Sequence, residues 1–333
     1  MSLVEGRART PARILPALVL LSFAILMAIL MPGCSVWQLG EEAPRYVDGS
    51  THRGVDVLAF DDGSTTLASG GWDGKVALWA LGGDKPGQVW QAHEGAAQGL
   101  SFSGEELISG GQDGRLVVWS RAGEARHAVD TGSAITHVKI LGDRVVTGHY
   151  DGSVGVWSLP ALEGVLRIDF HGDEVVAALA VDPRSGRIAS SGFDGQVFLI
   201  EGDGRYRALE SPPMDAVSLS FEPGGDVLYG GGWVRLYRWD LRADGFETIT
   251  TPHWGAIAGL QYLPGEDVLA SISRVNDSSV FFLDPGTGES VRHFQRQSVC
   301  GSAIRVSPDE RYLATTGDDG LVRIWDLAAP LEQ

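Results

Sequence analysis

The sequence predicts an all-β fold: a seven-bladed β-propeller with four antiparallel strands per blade, preceded by an N-terminal signal or anchor helix. A strand-ending aromatic or aliphatic residue recurs at intervals of 38 to 44 residues, which is the spacing of propeller blades. The chain has 333 residues and 45 glycines, a content typical of many tight turns between short strands. Residues 14–31 form an apolar run that three arginines precede, and this run predicts the helix.

The amino terminus has the charge and hydropathy profile of a secretory signal. Arg7, Arg9 and Arg13 stand before the apolar run, and the positive-inside rule places the remainder of the chain beyond the membrane. The run ends in Gly33 and Cys34, an ending similar to the lipobox of bacterial lipoproteins, and this resemblance implies lipidation of Cys34. An uncleaved spanning helix of about 18 residues and a free secreted protein are the alternatives.

Seven copies of one unit follow the apolar run. Each copy begins with an apolar pair two residues apart, such as Leu58 and Phe60, and a period of two predicts a strand. Five copies contain an Asp-Gly pair, for example Asp73-Gly74, which is a strong hairpin signal. The copies end at Trp79, Trp119, Trp157, Ile200, Trp239, Leu283 and Trp325.

These copies resemble the WD-repeat propeller family, whose blades end in Trp-Asp, as in Trp239-Asp240 and Trp325-Asp326. The resemblance implies a buried relay in each blade, from a loop histidine through Ser or Thr and the turn aspartate to the tryptophan indole. Two copies contain every member: His52, Ser69, Asp73 and Trp79, and His93, Ser109, Asp113 and Trp119. The others are incomplete; copy three lacks the loop histidine, copy four has Ile200 for tryptophan, and copy five keeps only Trp239.

The repeat also predicts how the ring closes and where the domains end. In the WD-repeat family the repeat is offset from the blade, so residues near 44–48 are expected to pair beyond the strand that ends at Trp325. Closure removes the sheet edges at which propellers would otherwise aggregate. The expected division is a signal peptide or anchor at 1–33, a short tether at 34–43, the propeller at 44–327 and a tail at 328–333.

Catalytic and cofactor motifs are missing from the sequence. It contains no His-Glu-x-x-His, no phosphate-binding Gly-x-x-x-x-Gly-Lys and no Gly-x-Ser-x-Gly; we therefore expect no enzyme activity, metal or cofactor. The formal charge of −17 disfavours nucleic acid as a partner. His52, His93, His171 and His253 are assigned to relays, while His127, His137, His149 and His293 are expected to be exposed or packed. Cys300 is expected to be buried in a first strand.

The candidate partner-binding residues stand in loops that open on one face of the predicted ring. Trp and Tyr are enriched in binding hot spots, so a rim of such residues favours a protein or peptide partner, although packing over the blade edge is the alternative. The chain is therefore predicted to be a non-catalytic scaffold held at the bacterial cell envelope. An accessory subunit that docks a redox or other enzyme complex in the periplasm and a channel-mouth hydrolase or lyase are the other hypotheses. The candidate rim comprises Trp72, Gln112, Tyr150, Phe193, Trp233 and Trp254.

Overall fold

The computed structural model describes residues 46–48, 51–81, 86–294 and 300–328. The predicted signal or anchor helix, the tether and the proposed lipidation of Cys34 fall on residues outside these ranges. Within the described residues, no helix is long and apolar enough to cross a membrane.

The described residues contain 28 strands, which form seven sheets. In chain order the strands are β1 (Tyr46–Asp48), β2 (Val55–Phe60), β3 (Thr66–Gly71), β4 (Lys75–Ala80), β5 (Pro86–Gln91), β6 (Ala97–Ser103), β7 (Glu106–Gly111), β8 (Arg115–Trp119), β9 (Ala125–Asp130), β10 (Ile135–Leu141), β11 (Arg144–His149), β12 (Ser153–Ser158), β13 (Gly164–Asp169), β14 (Val176–Asp182), β15 (Arg187–Gly192), β16 (Val197–Ile200), β17 (Tyr206–Ala208), β18 (Ser218–Phe221), β19 (Val227–Gly231), β20 (Arg235–Asp240), β21 (Gly245–Thr250), β22 (Ala256–Leu263), β23 (Val268–Arg274), β24 (Val280–Leu283), β25 (Ser290–Phe294), β26 (Gly301–Val306), β27 (Tyr312–Gly317) and β28 (Val322–Asp326).

Each sheet is an antiparallel blade of four strands, which confirms the predicted seven-bladed propeller. Blades 1 to 6 take consecutive strands from β2–β5 to β22–β25, and blade 7 contains β26, β27, β28 and β1. The Asp-Gly turns join the second and third strands. At Gly114 the backbone has a φ of +75°, a conformation that glycine adopts without steric cost, and the Asp113 carboxylate accepts a hydrogen bond from the backbone N–H of Arg115 at 3.1 Å.

The ring closes as the sequence predicts. Strand β1 pairs with β28, with Tyr46 opposite Ile324 and Asp48 opposite Val322. The innermost strands β2, β6, β10, β14, β18, β22 and β26 each contact the innermost strands of both neighbouring blades. The blades therefore form a closed circle around a central channel, and β28 is not left as a free edge.

The hydrophobic core lies between neighbouring blades. One cluster joins Leu58, Leu67 and Trp79 of blade 1 to Ala314 and Ile324 of blade 7, and equivalent clusters join the other blades. Burying a leucine or tryptophan stabilises the fold by about 2 kcal/mol. A single four-stranded sheet cannot bury both of its faces, so each blade depends on its neighbours.

Six of the seven innermost strands contain a β-bulge at the same position, close to the start of the strand. A bulge inserts an unpaired residue and changes the direction of its side chain. Within the described strands, the residues skipped by the pairing register are Asp56, Gln98, Thr136, Ala177, Ala258 and Ser302. They stand at the channel wall, near one of its mouths.

Candidate functional site

One face of the propeller carries the loops that precede the innermost strands and the turns between second and third strands. The backbone N–H groups of Trp72, Gln112, Tyr150 and Phe193 donate to carbonyls of the loop before the innermost strand of the same blade, at 2.9 to 3.2 Å. In blade 5 the corresponding turn contacts blade 6 instead, where Trp233 forms an isolated bridge with Ala256. We refer to Trp72, Gln112, Tyr150, Phe193, Trp233 and Trp254 as the rim.

The rim side chains are exposed. The exposed fractions are 42% for Trp72, 38% for Tyr150, 51% for Phe193, 40% for Trp233 and 75% for Trp254, and Gln112 is exposed as well. Other exposed apolar residues, such as Val165 and Val291, lie on fourth strands at the outer wall. Among the described residues, five of the six exposed Trp, Tyr and Phe side chains therefore lie on the face that carries the rim, and the sixth, Tyr206, lies on the fourth strand of blade 4.

Bulged residues of the innermost strands hold two of the rim aromatics in place. The indole Nε1 of Trp72 donates to Oδ2 of Asp56 at 2.5 Å. The amide Nε2 of Gln98 donates to the Tyr150 hydroxyl of the next blade at 3.1 Å. Gly54 lies beneath the Trp72 ring, and a Cβ at this position would stand 2.6 Å from Cδ2 of the indole. Trp72 is thus packed on one side and exposed on the other.

The rim surrounds the mouth of a channel cavity of about 410 Å³ that all seven blades line. Asp56, Phe193 and Arg274 belong to this lining. Burial raises the pKa of Asp56 and the charge of Asp318 adds to this effect, while the hydrogen bond from Trp72 and the charge of Arg274 oppose it. Arg274 donates to Oδ1 of Asp318 at 3.0 Å, so charged groups at the mouth are linked to one another.

His137 lines the same cavity as Asp56. Burial, together with the charges of Lys139 and Arg305, lowers the pKa of His137 to about 3. Its Nδ1 lies 2.9 Å from the Thr136 hydroxyl, and the imidazole is neutral at physiological pH. A carboxylate and a histidine therefore do stand at the channel wall, as the hydrolase hypothesis requires. Among the described residues, no group of three or more His, Cys, Asp or Glu is arranged to hold a metal ion.

The structure brings the members of both complete relays into contact, and in blade 2 they form a hydrogen-bonded chain. In blade 2, Trp119 Nε1 donates to Ser109 Oγ at 2.7 Å, Ser109 Oγ lies 2.7 Å from His93 Nε2, and His93 Nδ1 lies 3.0 Å from Asp113 Oδ1. Burial lowers the pKa of His93, although Asp113 opposes the shift. The imidazole is therefore neutral, with Nδ1 donating to Asp113 and Nε2 accepting from Ser109.

Blade 1 repeats this geometry with slightly longer contacts. Trp79 Nε1 donates to Ser69 Oγ at 2.8 Å, and His52 Nε2 lies 2.8 Å from the same oxygen. His52 Nδ1 is 3.5 Å from Asp73 Oδ1. Through Asp73 and Asp113, both relays also connect the loop before the innermost strand to the turn between the second and third strands. They therefore fix the turns that bear Trp72 and Gln112.

Blade 3 forms a relay with a histidine that the sequence analysis leaves without a role. His149 is fully buried, and its Nε2 lies 2.8 Å from the Thr147 hydroxyl, which also accepts a hydrogen bond from Trp157 Nε1 at 2.9 Å. Burial lowers the pKa of His149 to about 4, and Arg167 contributes to the shift. A histidine on the second strand thus replaces the missing loop histidine, and its spacing of two from Thr147 was the available signal.

The remaining blades keep parts of the relay. His171 contacts Ser190 at 3.1 Å and Asp194 at 2.9 Å in blade 4, and His253 contacts Ser271 at 2.9 Å in blade 6. Trp239 of blade 5 donates instead to the backbone carbonyl of Glu210 at 2.9 Å. In blade 7, Asp319 is paired with Arg323, while Thr315 and Trp325 are buried.

One detail differs from the sequence analysis. Cys300 precedes the innermost strand of blade 7 and is partly exposed, and its backbone carbonyl accepts a hydrogen bond from Asp318; the expectation of a buried strand residue was wrong. Gly230 and Gly231 lie in the second strand of blade 5. A Cβ at Gly230 would stand 2.8 Å from Cζ3 of Trp239, so close packing explains the glycine.

Comparison with known proteins agrees with this architecture. The family model described as "WD domain, G-beta repeat" matches residues 46–80, 84–120 and 288–326. The chain thus contains WD40 repeats. A crystal structure of the computationally designed Ika8 protein superimposes with a TM-score of 0.65 at 22% identity, over 82% of this chain and 83% of that chain, which bears on the fold alone.

Relatives with curated names are similar to parts of the chain or to most of it. Periodic tryptophan protein 2 of Arabidopsis thaliana is 28% identical over 55% of this chain and 20% of its own length. Ribosome biogenesis protein YTM1 of Eremothecium gossypii is 26% identical over 81% of this chain and 64% of its own length. DDB1- and CUL4-associated factor 13 of Xenopus tropicalis is 25% identical over 82% of this chain and 65% of its own length. The chain spans less than two thirds of each of these relatives.

Proposed function

We propose that this chain is a WD-repeat protein that acts as a non-catalytic docking platform, with the rim as its binding surface for a protein or peptide. The observation that carries the proposal is the concentration of five exposed aromatic side chains around one mouth of the channel. Buried aromatic anchors contribute most of the free energy in many protein interfaces. Here two of the five are already oriented by Asp56 and Gln98, which reduces the entropy lost on binding.

The net charge of the chain and the name of one of its relatives support the same role as a docking platform. The formal charge of −17 favours partners with basic segments and accelerates their association at low ionic strength. The name of one relative, DDB1- and CUL4-associated factor 13, states an association with other proteins. A closed ring of seven blades supplies a rigid surface, since each blade is packed against two others.

The platform is held at the bacterial cell envelope in this proposal, with the propeller on the extracytoplasmic side. Support comes from the arginines before the apolar run and from the lipobox-like ending at Cys34. Labelling cells with a fatty-acid analogue should modify the wild-type chain and leave Cys34→Ser unlabelled. Equal labelling of the two chains would contradict lipidation at this residue.

The proposed role of the rim in binding is tested by comparing substitutions of exposed rim residues with substitutions of exposed residues on the outer wall. Trp72→Ala, Phe193→Ala and Trp254→Ala are made on the rim, and Val165→Ala and Val291→Ala on the outer wall serve as controls of similar exposure. Partners retained by the wild-type chain are identified by mass spectrometry and their affinities measured with the purified proteins.

We expect each rim substitution to weaken binding of the same partner by about 1 to 4 kcal/mol, and the controls to leave it unchanged. A partner whose affinity is equal for wild type and all three rim variants would overturn the assignment of the rim. Thermal unfolding of each variant, which should match the wild type, shows that the propeller is intact.

A further inference from the structure

The channel wall contains two cations that the rim does not use. Lys139 of β10 and Arg305 of β26 each stand three residues after the bulged residue of their strand, so they occupy equivalent positions in blades 3 and 7. No carboxylate occurs at this position in any of the seven described innermost strands. The other five blades place small or uncharged residues there: Ala59, Ser101, Ala180, Ser220 and Gln261.

Lys139 and Arg305 line one cavity of about 250 Å³ within the channel, together with Ser220 and Gln261. Arg305 also lines the larger cavity whose mouth is surrounded by the rim. Its side chain therefore stands where the two cavities adjoin, and a small solute that enters between the rim residues can reach both cations.

Neither cation has an anionic partner among the residues that the structure describes. The Arg305 guanidinium donates to the backbone carbonyl of Ile304 at 2.7 Å, and the Lys139 ammonium group contacts no acceptor in the described chain. This contrasts with Arg121, Arg187 and Arg311, which pair with carboxylates at 2.7 to 3.1 Å. The chain carries 43 acidic residues, yet none of those described neutralises the channel cations.

Two like charges held in a narrow channel destabilise each other. Burial lowers the pKa of Lys139 well below its ordinary value, and the charge of Arg305 lowers it further. A cation that is partly removed from water and lacks an anionic partner is less stable than one in bulk solvent. A bound anion would remove this cost, because each cation would gain the partner that the protein itself does not supply.

We propose that this level of the channel binds a small oxyanion of the phosphate class, held by the Arg305 guanidinium and the Lys139 ammonium group. A guanidinium presents a planar pair of donors that matches two oxygens of phosphate. The Ser220 hydroxyl accepts a hydrogen bond from the backbone N–H of Tyr262 at 3.0 Å, so its own proton is available as a third donor. The oxyanion can be free or carried on a phosphorylated side chain, and the site is independent of the rim.

Calorimetric titration with inorganic phosphate tests the site in the wild-type chain and in Lys139→Met, Arg305→Met and Arg184→Met. Arg184 is exposed on the turn between β14 and β15, so its replacement removes the same charge without altering the channel. We expect at least tenfold weaker phosphate binding in both channel variants and wild-type affinity in the Arg184 variant. A parallel titration with phosphoserine separates the two sources: binding by both probes indicates a site open to a carried phosphate, and binding of phosphate alone indicates a free anion.

Thermal unfolding supplies a second measurement. Phosphate should raise the melting temperature of the wild-type chain above its value in sodium chloride of equal ionic strength, and this increment should be absent in Lys139→Met. Without phosphate, Lys139→Met should melt at or above the wild-type temperature, because one of two mutually repelling charges has been removed. No binding of millimolar phosphate by the wild type, or equal affinities in Lys139→Met and Arg184→Met, would overturn the proposal.

Discussion

Replacement of Ser109 by alanine isolates the contribution of one relay to the stability of the propeller. Ser109 is fully buried and its Oγ serves two partners, the Trp119 indole at 2.7 Å and His93 Nε2 at 2.7 Å. Alanine leaves the Trp119 indole N–H and the His93 Nε2 atom buried without a hydrogen-bond partner. Each unsatisfied buried group costs about 1 to 3 kcal/mol, so the free energy of unfolding should fall by about 2 to 6 kcal/mol.

The propeller supplies its own control in blade 4. Ser190 is buried at the equivalent position, but Ile200 replaces the tryptophan and the hydroxyl contacts only His171, at 3.1 Å. Ser190→Ala should therefore cost about 1 to 3 kcal/mol. The difference between the two variants measures the hydrogen bond to the indole, since the serine-to-alanine change itself is the same.

Equilibrium unfolding in urea measures both free energies. Tryptophan fluorescence and far-ultraviolet circular dichroism should be followed together, because coincident transitions justify a two-state treatment. If Ser109→Ala is no more destabilising than Ser190→Ala, the indole bond does not contribute and the relay cannot be described as a chain of necessary contacts.

Three further predictions follow from the described contacts. The pKa of His149 falls from 6.5 to about 4 on folding, so the free energy of unfolding is highest above pH 6.5 and declines as the pH falls towards 4. The variant His149→Gln should reduce this loss by up to about 3 kcal/mol. Identical pH profiles of the wild type and the variant in urea unfolding would refute this prediction. Gly54→Ala would place a Cβ 2.6 Å from the Trp72 ring, so tryptophan emission should shift and partner binding weaken, whereas Gly87→Ala, whose nearest neighbour would be 3.9 Å away, should change neither. Omitting residues 44–48 should expose the edge of β28 and produce oligomers in size-exclusion chromatography; a stable monomer would show that the edge needs no cover.

The repeat pattern predicts the architecture because each strand and turn is specified by residues close together in the sequence. Asp73-Gly74 specifies a hairpin, and Leu58 with Phe60 specifies the strand before it, so seven such copies imply seven blades. The pairing of residues 46–48 with β28 also follows, since the offset of the repeat leaves the last blade one strand short.

Contacts that depend on three-dimensional register were not predictable. In blade 3, the loop before the innermost strand has no histidine, and His149 of the second strand contacts Thr147 in its place. In blade 5, the second strand has no serine at the relay position, and the Trp239 indole donates to a backbone carbonyl. Lys139 and Arg305 look like ordinary alternating strand residues until the bulges before them are known. The repeat pattern predicts which loops carry the rim residues, but the exposure of these side chains depends on packing, such as that of Trp72 over Gly54.

The short strand β1 makes the two ends of the propeller chain meet in one sheet. Its partner is synthesised after the first six blades, so a nascent chain that ends before β28 holds six complete blades and an incomplete seventh. Contacts between distant chain segments form slowly, and open sheet edges invite association with other chains. Closure of the ring is therefore coupled to synthesis of β28, and the seventh blade keeps an open edge until that strand pairs with β1.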